Sequence, residues 1–219
     1  MNNLSVGHIM RRTSLVWVAA VVAIGSMVSA THAGVILTNG DFSTGDLTGW
    51  TWTPDTNADP GMVASVDLGP FGTGDAFNVN AGTSNGLERG GVLSQNVFLL
   101  AGSYTYSGEV AIQDVNSPPD DPFGNADGGV ISAVIGVGET IILDLGQIGV
   151  DQLTIVGFSI KFDIAADQNV DIGLHFTRTF FNAGPSVLHW ADNLSVVPAP
   201  GALTVLAFGV LAVRRRRRV

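Results

Sequence analysis

In Phe158-Ser159-Ile160-Lys161-Phe162-Asp163-Ile164, apolar and polar side chains alternate without a fault. A period of two puts Phe158, Ile160, Phe162 and Ile164 on one buried face of a β-strand and excludes a helix there. Val170, Ile172, Leu174 and Phe176 repeat the pattern in the next run. Tyr104, Tyr106, Val110 and Ile112 share one face of another. Further strands are predicted at Val35–Leu37, Trp50–Thr53, Met62–Val66, Ala76–Val79, Val92–Leu99, Val130–Val137, Thr140–Leu145 and His189–Val197. Glycine, proline, asparagine and aspartate break the chain between them, and glycine alone supplies 28 residues. Many short strands with frequent turn signals specify an all-β domain, a β-sandwich or jelly roll. The segment from Ser117 to Gly129 carries three prolines, which deny ladder donors, and is expected to be the surface connection of a wide hairpin.

The body lacks cysteine, so it has no disulfide, no thiolate nucleophile and no cysteine zinc site. The net charge of −9 hides a strong asymmetry. Arg11 and Arg12 lie near the start, and Arg214, Arg215, Arg216, Arg217 and Arg218 near the end. Between them only Arg89, Lys161 and Arg178 face all nineteen acids. So acidic a body repels nucleic-acid phosphates and offers oxygen ligands to hard cations.

Residues 1–33 read as a signal peptide. Basic Arg11-Arg12 precedes an apolar run from Leu15 to Val28, and small residues follow in the patterns Val28-Ser29-Ala30 and Thr31-His32-Ala33. The sandwich domain is expected over 34–197. The remaining 198–219 open with Pro198-Ala199-Pro200-Gly201, continue with an apolar stretch from Ala202 to Val213, and close on five arginines. Clustered arginines after an apolar segment stay on the cytoplasmic side. About twelve residues at about 1.5 Å each make a transmembrane helix short for a hydrocarbon core of about 30 Å.

The order Val197-Pro198-Ala199-Pro200-Gly201, apolar run, arginines resembles the PEP-CTERM sorting signal in a Pro-Ala-Pro variant, with Ala199 in place of the commoner Glu. That resemblance implies an exosortase-type processing enzyme and the export machinery as partners, and delivery to the envelope, outer surface or extracellular matrix. Leu37–Trp52 ("LTNGDFSTGDLTGWTW"), Leu93–Ala111 and His189–Val196 ("HWADNLSV") resemble strands of jelly-roll carbohydrate-binding modules of the galactose-binding-like type. This second resemblance implies terminal strands lying side by side and a structural Ca²⁺ held where Asp41 and Asp192 approach, with Ser43 standing where many relatives have an acid. The alternative is that Asp41 caps a turn and Asp192 bonds backbone amides.

Trp50 is expected in the core, and Trp52 shares its strand parity. Trp52 and Trp190 are the candidates for stacking on sugar rings. Asp121, Asn125 and Asp127 before Gly128 fall short of a calcium loop, because Phe123 stands where an oxygen is needed. Catalysis finds little support. His175 and His189 sit inside strand patterns without a recognisable Ser or Asp partner, and Glu88, Glu109 and Glu139 mark no carboxylate pair. The expectation is a non-enzymatic structural or adhesive protein that meets extracellular polysaccharide. A carbohydrate-binding module proper is the alternative, and a glycoside hydrolase a more distant one.

Overall fold

The computed structural model describes residues 36–56, 58, 62–81, 88–115, 127–149, 151–179 and 187–199. The signal-peptide segment, the loop residues Asp121 and Asn125, and the tail from Pro200 with Gly201 and Arg214–Arg218 lie outside the described residues.

The chain is an all-β sandwich of two five-stranded antiparallel sheets. One sheet runs β1 (Thr51–Pro54), β4 (Arg89–Leu99), β9 (Gln168–Arg178), β6 (Gly129–Ile135) and β7 (Gly138–Leu145). The other runs β2 (Ala64–Leu68), β3 (Asp75–Val79), β10 (Val187–Pro198), β5 (Gly102–Asp114) and β8 (Leu153–Ile164). No helix occurs among the described residues.

Alternation sets the core. Val170, Ile172, Leu174 and Phe176 of β9 face inward and are buried, as are Tyr104, Tyr106, Val110 and Ile112 of β5. Phe77 of β3 stands at the centre, with Phe176, Trp52 and Phe42 around it at ring distances of 5.1, 5.7 and 6.2 Å. The inward row of β8 behaves differently. Its alternation is as predicted, but Phe158, Ile160 and Phe162 are only half-buried, because β8 is the edge of its sheet.

Two expectations need correction. The segment between β5 and β6 is not a hairpin connection, because β5 pairs with β10 and β8 whereas β6 pairs with β7 and β9. The strands it connects lie in different sheets. Residues 36–50, the described part of the chain before β1, also form no regular strand. Residues 36–40 nevertheless lie along the last strand, where Ile36 N donates to Val196 O at 3.0 Å and Leu194 N to Gly40 O at 2.8 Å. At Gly40 only glycine fits, since a Cβ would collide with the Leu194 carbonyl.

Candidate functional site

β9 is the central strand of its sheet, and its outward side chains are Asp171, His175 and Thr177. His175 pairs in register with Val92 of β4 on one side and Ser132 of β6 on the other. Glu139 comes from edge strand β7. Asp55 follows β1 and is fixed by a reciprocal pair of bonds: Asp55 N donates to Gly90 O at 2.9 Å, and Gly90 N donates to Asp55 Oδ2 at 2.8 Å. The two carboxylates close on opposite edges of the imidazole. His175 Nε2 lies 3.1 Å from Asp55 Oδ2, and Nδ1 lies 3.0 Å from Glu139 Oε1. Both nitrogens donate at once only when the ring is an imidazolium.

Around this bridge an open groove of about 880 Å³ runs over the outer face of the sheet. Asp55, Glu88, Glu139 and Asp144 line it with Arg89, His175, Ser132 and Thr177, and Val130 and Ile141 supply its apolar floor. Thr177 Oγ1 donates to Glu88 Oε1 at 2.7 Å, and an Arg89 guanidinium nitrogen donates to the Glu88 carbonyl at 2.9 Å. Four carboxylates against one arginine and one imidazole make the groove hostile to anions. Neither ring nitrogen of His175 is left for a nucleophile, since each is engaged by a carboxylate. The arrangement therefore lacks the base–nucleophile contact that acyl transfer requires.

Sequence reasoning passed over His175 because its partners lie 120 and 36 residues away. Only the strand order brings them together. The other histidine, His189, is fully buried, with its Nε2 2.9 Å from Gly128 O. Burial, with the nearby Arg178 charge, pushes its pKa down to about 4. Arg178 is itself buried and donates from Nε to Asp127 O at 2.6 Å. Asp127 accepts from Gly129 N and Thr179 N, so its role in the described structure is to tie strand ends together.

Asp192 lies within reach of the Asp41 charge. Asp192 is 1% exposed. It accepts from Thr73 Oγ1, and from Asn193 N at 2.7 Å. Burial raises its pKa against those bonds, and the negative charges of Glu109 and Asp41 raise it further. Asp41 is exposed and accepts from Ser43 Oγ at 2.9 Å. The charges of Glu109 and Asp41 reach Asp192, yet among the described residues no three acids or histidines converge on a single point.

The tryptophans take different places, and neither Trp52 nor Trp190, the candidates for stacking on sugar rings, stands open at the surface. Trp50 is buried, donates from Nε1 to Asn39 O at 2.9 Å and stacks on Phe42. Trp52 faces inward against Phe77 and Phe176, so it offers no face to a sugar. Trp190 does lie on the outer face of the β10 sheet, but it is buried there. Phe71 and Leu188 pack with it in a small cluster that also includes Ala76 and Ala111. The β2–β3 loop forms this cover, closed by Gly69 N to Gly74 O at 2.9 Å and fastened to β10 by Thr73 on Asp192. Gly72 and Gly74 have φ of 78° and 124°, which lets the loop turn back over the indole.

Pro198 ends β10, and Ala199 N donates to Ser103 O at 2.8 Å. The first two residues of the Pro-Ala-Pro motif thus belong to the folded body.

Neither a family model nor a curated protein sequence matches the chain. Solved structures resemble it at low identity. A structure of TmCBM61 in complex with beta-1,4-galactotriose shares 15% identity with a TM-score of 0.48, over 76% of this chain and 99% of that one. The CBM22-1 xylan-binding domain from Paenibacillus barcinonensis Xyn10C shares 12% with a TM-score of 0.44, over 78% and 97%. A Stig cyclase, Fisc from Fischerella sp. TAU, shares 15% with a TM-score of 0.47, over 78% and 99%. Binding modules and a cyclase stand side by side at this level, so the similarity carries no argument about ligand or activity.

Proposed function

We propose that this protein is an exported, non-catalytic binding module that meets a neutral polysaccharide at the cell surface or in the matrix. The observation that carries the reading is the open groove on the β9 sheet. Its floor is apolar, and its walls are hydrogen-bonding side chains held by the Asp55–His175–Glu139 bridge. Carboxylates accept from sugar hydroxyls, and Ile141 and Val130 suit the C–H faces of a sugar ring. The surplus of acids disfavours uronate or sulfated chains. Delivery would follow from the C-terminal sequence, with Pro198-Ala199-Pro200 read by an exosortase-type enzyme while Arg214–Arg218 hold the segment in the membrane. Ca²⁺, if bound, would sit between Asp41 and Asp192 with Glu109 beside them, and would brace the first turn against β10.

The test is calorimetric titration of the full chain in detergent with neutral and uronate-bearing oligosaccharides. Binding of neutral chains that Glu139→Gln weakens by about tenfold, which is about 1.4 kcal/mol, supports the reading. Equal binding of both classes refutes it, and release of reducing ends would make the protein a hydrolase. Mass spectrometry of envelope fractions decides the sorting claim: a mature protein still ending at Val219 removes it.

A further inference from the structure

β8 is paired on one side only. Its register with β5 is unbroken from Gly102↔Ile164 to Gln113↔Leu153. Among the described residues no strand pairs with its other edge. That edge is twelve residues long and has neither a proline nor a bulge. Natural sheets blunt such edges with short strands, bulges, prolines or charges. Here the outward row offers only Lys161 and Asp163.

The same strand leaves apolar surface unfinished. Val156, Phe158, Ile160 and Phe162 face inward but are half-exposed, whereas the inward row of central β9 is closed. On the outer face Leu153 and Ile155 are 41% and 43% exposed. An open hydrogen-bonding edge and an uncovered alternating apolar row are both satisfied by one object, a further antiparallel strand with the same alternation. β8 itself is such a strand.

We infer that β8 pairs antiparallel with β8 of a second copy of this chain, joining two sheets across a twofold axis at Ser159. In that register Phe158 faces Ile160, Val156 faces Phe162 and Thr154 faces Ile164 on the inner side. On the outer side Gly157 leaves room for Lys161, and Ile155 faces Asp163. No like charges stand opposite, and the smallest polar side chain of the outward row sits on the axis. Shifting the register by two residues would set both charges under branched side chains, Lys161 against Ile155 and Asp163 against Leu153, whereas the register centred on Ser159 does so only for Asp163. Eleven paired residues at about 3.4 Å each give a seam roughly 37 Å long. β7, the edge of the opposing sheet, packs beside β8 and would flank the seam.

The chain has no cysteine, so Ser159→Cys introduces its only thiol. The full chain in detergent is sedimented with the micelle mass subtracted, then oxidised with copper phenanthroline. We expect a dimer, rapid disulfide cross-linking by Ser159→Cys, and none by Thr51→Cys on the far edge strand β1. Ser159→Lys places two positive charges opposite each other and should shift the dimer to monomer. Circular dichroism confirms that each variant folds. A monomeric wild type, cross-linking no faster at 159 than at 51, or a dimer that survives Ser159→Lys overturns the inference. The last result would place association elsewhere in the chain.

Discussion

His175 Nε2 and Asp55 Oδ2 stand 3.1 Å apart across a separation of 120 residues. The contact reaches from the end of β1 across β4 to the middle of β9, and Glu139 answers it from the far side. Removing the imidazole takes away the ring nitrogens that both Asp55 and Glu139 contact. His175→Ala should cost stability by less than about 1 kcal/mol, because such part-exposed ion pairs are worth little. Oligosaccharide affinity should fall by about tenfold or more, about 1.4 kcal/mol. Chemical denaturation and calorimetry, run on the same preparation, separate the two effects.

His189 gives a pH dependence with a definite sign. Its folded pKa of about 4 lies below the ordinary value of 6.5. The unfolded chain therefore binds the proton more readily between those values. The stability from this residue is fully present above pH 6.5 and is lost as the pH falls to about 4. The amount is about 3 kcal/mol at the low end. Proton NMR should find this imidazole still neutral at pH 5, and the unfolding free energy should decline across the same interval.

Tyr106 is fully buried, and its hydroxyl finds no hydrogen-bond partner among the described residues. Burial alone drives its pKa upward. Removing an unsatisfied hydroxyl relieves a desolvation cost of about 1–3 kcal/mol, less the small void left behind. Tyr106→Phe should raise the thermal midpoint. A lower midpoint would mean that the hydroxyl has a partner.

Trp190 is covered by Phe71 and fastened through Thr73. Phe71→Ala should shift tryptophan emission to the red and increase quenching by acrylamide, as the indole meets water. Thr73→Val should do the same more weakly, and it leaves a buried Asp192 oxygen without its donor. Emission unchanged in both variants would show that the loop does not shield the ring.

Calcium should raise the thermal midpoint if it binds only the folded chain. EDTA should lower that midpoint in the wild type, but not in Asp41→Asn or Asp192→Asn. A chelator-insensitive wild type removes the cation from the account and leaves Asp192 as a buried acceptor for Thr73 and Asn193.

The strands were legible because alternation is local. Phe158–Ile164 announces a strand whatever surrounds it, and β9 does the same. Alternation does not say how many neighbours a strand has, so the half-burial of β8 could not be read from its residues. The groove was hidden for a related reason. His175 looks like any polar position on an exposed face until β1, β6 and β7 take their places around β9. Trp52 shows the converse: its parity with Trp50 already pointed inward, and Phe77 and Phe176 fill the space where a sugar would have had to stack. Trp190 faces outward as a sugar-stacking residue would, and only the fold-back at Gly72 and Gly74 conceals it.

β10 has a consequence for the order in which this molecule can be assembled. It is the last strand among the described residues, yet it occupies the middle of its sheet, between β3 and β5. Until it arrives, that sheet exists as two unconnected strand pairs, β2 with β3 and β5 with β8. A chain that emerges from its N-terminus cannot nucleate the sandwich early and then add to it, because the piece that joins the halves is delivered last. Long-range pairing of this kind is slow, and it leaves open edges exposed in the meantime. Closure of this sheet must therefore wait until the residues of β10 up to Pro198 are free to pair, so the body cannot finish folding before its C-terminal strand is available.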